Sequence, residues 1–143
     1  MEFFYPYKAW SIKQNKFIYG KLEIKINQKT LEETYFIVNN EIKEEVKEQN
    51  ICSITHLRAG EEKTPIYDRD IITVMINDEL ASFTIRRGLA NINIVDIETV
   101  LEGVFLESYN GDKYMYAKEL IDKPERIEII GNEIETQMSF KNK

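Results

Sequence analysis

The sequence predicts a mainly β, β-rich α+β domain: a small barrel core, an N-terminal hairpin extension, and one or two short helices. Three observations predict it. Residues Thr55 to Ile76 read THLRAGEEKTPIYDRDIITVMI. A polar, glycine-containing loop leads to Pro65-Ile66-Tyr67, an acidic pair separated by one residue, and a β-branched run, as when a chain enters the first strand of a small barrel. Leu22, Ile24 and Ile26 alternate with Lys21, Glu23 and Lys25, the period-two pattern of a strand wet on one face. Asn77-Asp78-Glu79 separates two apolar runs, Ile71 to Ile76 and Leu80 to Ile85, as the turn of a hairpin does.

The elements follow in order. Phe3 to Ile12 and Lys16 to Ile26 form a first hairpin with Gln14-Asn15 at its turn. Gly20 sits where the Phe17/Tyr19 alternation changes parity, which predicts a bulge. Thr34 to Val38 is a third strand. In Glu41 to Glu48, EIKEEVKE, only Ile42 and Val46 are apolar; that spacing suits a short helix with one narrow stripe, or a solvated loop. Ile71 to Ile76, apolar on both sides, is a central strand, and Ile72, Val74 and Phe83 are expected in the core. Asp96 opens the clearest helical pattern: Ile97, Val100, Leu101, Val104 and Phe105 recur at helical spacing, with Asp96 as the cap. Gly103 inside it costs about 1 kcal/mol relative to alanine. Asn110-Gly111 is a turn, followed by a strand from Lys113 to Ala117. Arg126 to Ile130 is the last strand, followed by Gly131-Asn132 and then a polar tail. The expected division is a hairpin region over residues 1–50, a barrel core over 51–135, and a frayed tail over 136–143.

At 143 residues the chain has the size of one domain, and its 43% apolar and 31% charged residues suit a buried core with a soluble surface. A chain this long buries about two-thirds of its unfolded surface without a covalent staple. Cys52 is the only cysteine, which excludes an intrachain disulfide and a thiolate metal cluster. The opening MEFFYPYKAW lacks the basic start and apolar stretch of a signal peptide, and no window is a membrane span. A soluble, cytoplasmic protein is expected. The net charge of −6 weighs against general affinity for nucleic acid, which needs several cations to displace counterions from phosphates. Arg86-Arg87 is the one adjacent arginine pair.

Candidate chemistry is thin. His56 is the only histidine and Cys52 the only soft ligand beside it, too few for a zinc site. On a regular strand the two would share a face, but far apart for proton transfer; a buried cysteine and a surface histidine is the commoner arrangement. Asp68 and Asp70 flank Arg69 and suggest either a divalent-cation site or two carboxylates accepting backbone amides of the entry turn; turn chemistry favours the second. No phosphate-binding glycine loop or nucleophile elbow is present. No catalytic, cofactor-binding or metal residue is assigned. The aromatic stretch Phe3-Phe4-Tyr5-Pro6-Tyr7 with Trp10 is either core or a partner-binding surface.

Three blocks of the chain together resemble the YopX-like family of phage and prophage proteins. Ala9-Trp10 with Asn15-Lys16-Phe17-Ile18-Tyr19-Gly20 is similar to the family's opening "RAW…KKMIYG". Thr55 through Ile72 is similar to its central "TGLKDKNGKEIYEGDIV", and Ile127 through Ile134, IEIIGNEI, to its closing "EVIGNIYE". Order and spacing agree along nearly the whole chain. The departures are Thr55-His56 for Thr-Gly, an altered loop from Arg58 to Lys63, and Arg69 where a glycine is usual. Because arginine does not share glycine's freedom at positive φ, Arg69 predicts a remodelled entry turn in a divergent member. The resemblance implies an SH3-like barrel and a phage or prophage origin, and brings no catalytic residues. The expected function is a non-enzymatic accessory protein acting by contact with another protein or with itself, through Phe3 to Trp10. The alternatives are a nucleic-acid-binding barrel using Arg86-Arg87, and a small hydrolase using Asp68/Asp70 or Cys52/His56.

Overall fold

The chain folds into two antiparallel sheets and one helix. The computed structural model describes residues 4–76, 78–94, 97–108, 114–116 and 123–141. The strands are β1 (Tyr7–Ser11), β2 (Lys16–Ile26), β3 (Glu33–Val38), β4 (Lys43–Val46), β5 (Ile51–Ala59), β6 (Thr64–Tyr67), β7 (Asp70–Ile76), β8 (Glu79–Ile94), β9 (Ile97–Ser108), β10 (Tyr114–Tyr116) and β11 (Ile127–Asn132), and the helix is α1 (Glu133–Lys141). The first sheet runs β4-β3-β2-β1-β5-β6 and the second β10-β9-β8-β7-β11. The mainly β expectation holds.

The first hairpin closes where the sequence placed it. Asn15 takes φ +55, as asparagine tolerates, and its amide reaches the Ser11 carbonyl at 2.7 Å. β2 changes partner midway: Lys16 to Gly20 pair with β1, and Lys21 to Ile26 with β3. The expected bulge at Gly20 is absent, because both ladders run through without a register shift. Glycine is needed there for room, since a Cβ would lie 2.4 Å from the Val38 carbonyl oxygen.

Two expected helical segments are strands. Glu41 to Glu48 contributes β4, whose Val46 stands opposite Tyr35 and Glu44 opposite Ile37. A spacing of four satisfies a strand's period of two as well as a helical turn, so Ile42 and Val46 could not discriminate. Ile97 to Phe105 lies in β9, paired with β8 from Phe83↔Ser108 to Ile94↔Ile97. Its β-branched residues favour the pleat, and Gly103 at φ +94 cannot sit in a right-handed helix. The proposed cap, Asp96, lies outside the described residues, as does the Asn110-Gly111 turn.

The carboxy-terminal expectation reverses. Gly131 and Asn132 belong to β11, and residues 133–141 form α1 where a polar tail, frayed from residue 136, was expected. The Asn132 Oδ1 accepts the Ile134 amide at 2.8 Å, a side-chain cap, and Glu133 and Glu135 occupy the first turn, where the helix dipole favours anions.

Three clusters fill the interior. Leu57, Ala59 and Ile66 of β5 and β6 pack with Ile72, Val74, Phe83, Ile85, Leu106 and Ile127 of the second sheet. Ala9, Ile18, Ile37 and Val46 form a core inside the first sheet. Trp10, Cys52, Tyr67 and Ile134, with Phe17 and Met138 against them, join β1, β5 and α1 at the seam. Ile72, Val74 and Phe83 are buried as expected.

Candidate functional site

The acidic pair of the entry turn is a structural device. Asp70 accepts the Tyr67 amide of the entry turn at 2.8 Å, as turn chemistry favoured, whereas Asp68 accepts the Ser53 amide of β5, 15 residues away, at 3.0 Å. Asp70 does more. Its other oxygen receives the Lys8 ammonium at 2.6 Å and the Asn132 amide at 2.8 Å, with all three residues buried. The Lys8 Nζ lies 4.5 Å from the Phe17 ring centre and 4.9 Å from that of Tyr67, so aromatic faces screen what the carboxylate leaves exposed. This network ties β1 of the first sheet to β7 and β11 of the second. Burial pushes the Asp68 carboxyl up, against the pull of the Ser53 amide, Arg69 and Arg87.

Arg69 adopts φ +67, the left-handed region that glycine enters at little cost. Its amide donates to the Ile85 carbonyl at 2.7 Å, its carbonyl accepts the Glu133 amide at 2.9 Å, and its guanidinium donates to the Gln49 carbonyl. Contacts to three segments hold the strained residue in place.

Cys52 and His56 do not share a face. The β5–β6 ladder shifts register between Ile54 and Arg58, and Thr55 bridges the irregularity by donating to the Ile66 carbonyl at 2.8 Å and accepting the Leu57 amide at 3.1 Å. Cys52 is buried in the seam, His56 exposed beyond the shift. Burial, reinforced by Asp68, pushes the Cys52 thiol up to about 12, the opposite of what a thiolate nucleophile needs. Among the described residues no three His, Cys, Asp or Glu side chains converge to hold a metal ion.

Both arginines bond to other parts of the chain, Arg86 half-buried and Arg87 exposed. Arg86 grips Glu133 of α1 with two hydrogen bonds of 2.8 and 2.6 Å, with Glu107 at 3.6 Å. Arg87 donates to the Ile54 carbonyl at 2.8 Å and lies 3.9 Å from Asp68. The aromatic stretch also turns inward in part: Trp10 is buried edge-on to Phe17 at the seam, and Tyr7 packs on the core of the first sheet. The Tyr5 carbonyl accepts the Tyr67 hydroxyl at 2.7 Å.

The surface that lacks cover is elsewhere. Beyond Gly20 the strands β2 and β3 extend as an arm, with Leu22, Ile24, Ile26, Tyr35 and Ile37 on one face by register. Toward the tip this face loses its cover: Ile37 is buried, Leu22 half-buried, Ile24 48% exposed and Ile26 57% exposed. At the tip Asn27 Oδ1 accepts the amides of Lys29 and Thr30, and Leu31 projects at φ +61, 74% exposed. The opposite face is polar and satisfied: Lys43 pairs with Glu23 at 3.0 Å, and Lys25 and Lys43 flank the Phe36 ring. Sequence alternation located the apolar face; only the fold shows that nothing described lies over its end.

No family model, curated protein or solved structure matches the chain. No described helix is long and apolar enough to cross a membrane.

Proposed function

We propose that the chain is a YopX-like accessory protein of phage or prophage origin, working in the host cytosol by contact with another protein rather than by catalysis. One observation carries the interaction reading: the arm exposes Ile24 and Ile26 on one face and Leu31 at its tip, and clustered exposed apolar residues mark contact surfaces more often than isolated ones do. The resemblance gains support from Arg69, which holds the positive φ expected of the family's glycine, and from the entry loop, β7 and β11, which meet in one buried network. An SH3-like barrel then corresponds to the half of the molecule from β5 to β11, whose apolar residues share one cluster.

The competing readings have less behind them. A nucleic-acid surface at Arg86-Arg87 would have to release both guanidinium groups from Glu133 and the Ile54 carbonyl. A hydrolase at Cys52/His56 or Asp68/Asp70 would have to use a thiol with a raised pKa or carboxylates already engaged. Self-association belongs with the arm more than with Phe3 to Trp10, where Trp10 is already buried. The test is affinity capture from host lysate with the wild type and the double variant Ile24→Asp/Ile26→Asp. A protein retained by the wild type and lost from a folded variant is expected. Equal retention by both, or salt-sensitive retention of nucleic acid alone, overturns the reading.

A further inference from the structure

Beside the arm lies a second feature, at the edge of the same sheet. β4 is the terminal strand: it pairs with β3 on one side, and among the described residues no backbone hydrogen bond runs from Lys43–Val46 to any other strand. Alongside it opens a cleft of about 490 Å³, lined by Trp10, Ile12 and Lys13 at and just past the end of β1 and by Glu44, Glu45, Val46 and Lys47 at and just past the end of β4. Its apolar floor is Trp10, Ile12 and Val46. An unpaired edge displays a row of backbone donors and acceptors, and a cleft beside it receives alternate side chains of whatever pairs there.

Charge decides what kind of chain would pair. From Glu41 to Glu48 four glutamates, Glu41, Glu44, Glu45 and Glu48, face two lysines, and Lys43 is held by Glu23. At the far end the Tyr35 hydroxyl donates to Glu33, with Glu48 adding to the same anionic field. Edge charges protect a strand from aggregation, but protection does not require an apolar cleft next to them. A second copy of this acidic edge would meet like charge, and each chain carries a net charge of −6.

We infer that the free edge of β4 takes an extended segment of a partner protein as an added strand. That segment carries Lys or Arg on the face of Glu45 and, on the opposite face, an apolar residue seated between Trp10, Ile12 and Val46. The inference rests on the interaction reading above but uses different residues from the arm, so the two fail separately.

The test uses the full chain and two synthetic peptides, one alternating lysine with valine and one alternating glutamate with valine, read by fluorescence anisotropy and by amide hydrogen exchange. The lysine peptide is expected to bind, with new protection of the Lys43–Val46 amides, and the glutamate peptide is not. Glu45→Lys/Glu48→Lys and Ile12→Asp, all at exposed positions, are each expected to weaken binding about tenfold or more, while Ile24→Asp/Ile26→Asp leaves it unchanged. Equal binding of both peptides, retention of binding in the charge-reversal variant, or binding without protection of β4 overturns the inference. So does protection of β4 that rises with protein concentration in the absence of peptide, which would make a second copy the occupant. Binding lost only in the Ile24/Ile26 variant leaves the arm as a contact surface and removes β4 as the site.

Discussion

The β7–β8 hairpin and the distal β2–β3 arm are written in the same alternating language, yet they end differently. In β7 and β8 the inward residues Ile72, Val74, Phe83 and Ile85 are all buried, because β5 and β6 pack over them and β9 and β11 flank them in the same sheet. In the arm the same kind of face begins at the buried Ile37 and runs out to Ile24 and Ile26 with nothing described over it. Alternation says which face is apolar; only topology says whether that face is covered. The two regions have similar local chemistry, and their difference is what points to a contact surface.

Truncating one residue in each region separates a covered face from an uncovered one. Phe83→Ala is expected to cost about 3–5 kcal/mol, as for a buried aromatic that leaves a cavity, whereas Ile24→Ala should stay within about 0.5 kcal/mol. Urea denaturation of the two variants measures both. Comparable losses would mean that the arm is covered in solution and that the contrast drawn above is false.

The seam between the two sheets is held differently from either core. Lys8→Met removes the cation and leaves Asp70 buried with Asn132 as its remaining side-chain partner. The loss is expected to be about 3 kcal/mol, since an uncompensated buried charge is costly. Adding Asp70→Asn to Lys8→Met should recover part of the loss, because the partner left behind is then neutral. A double variant less stable than Lys8→Met alone would show that the Asp70 bond to the Tyr67 amide, rather than its charge pairing, dominates.

The same seam predicts a response to alkali. The folded Cys52 thiol titrates at about 12 against an ordinary 9.0, and Tyr67 is likewise raised to about 12. A group with a raised folded pKa leaves stability intact below its unfolded value, and stability falls as pH climbs from there toward the folded value. Cys52 alone should therefore cost about 2 kcal/mol by about pH 10.5 and nothing below about pH 8. Cys52→Ala should flatten this part of the profile in urea titrations at successive pH values. An unchanged slope between pH 9 and 11 would place the thiol in contact with solvent.

How much was legible follows from these same residues. Alternation in Lys21 to Ile26 and the apolar runs either side of residues 77–79 located strands and faces correctly, because period two is a local property. The segments Ile42/Val46 and Ile97–Phe105 were misread because a spacing of four fits both a helix and a strand, and the deciding contacts with Tyr35 and with β8 are non-local. α1 was hidden for a related reason: it buries only Ile134, with Met138 packed against the seam, too narrow a stripe to stand out from a polar tail. The turn role of Asp70 could be read locally, whereas Asp68 reaches Ser53, 15 residues away. The Lys8–Asp70 pair spans 62 residues, and no pattern within one segment reveals it.

Arg69 offers the smallest effect and the cleanest sign. It is bonded by its amide to Ile85 in the second sheet and by its guanidinium to Gln49 before β5. At an ordinary position alanine is more stable than glycine by about 0.5–1 kcal/mol, because glycine loses more freedom on folding. At φ +67 the order should reverse, since a Cβ in the left-handed region costs about 1–2 kcal/mol. Both Arg69→Gly and Arg69→Ala lose the guanidinium contact, so their difference isolates the backbone. Arg69→Gly is expected to be more stable than Arg69→Ala by up to about 1 kcal/mol, with the wild type close to the glycine variant. If alanine proves the more stable, the turn does not hold positive φ in solution, and with that goes the structural support that Arg69 lends to the family resemblance.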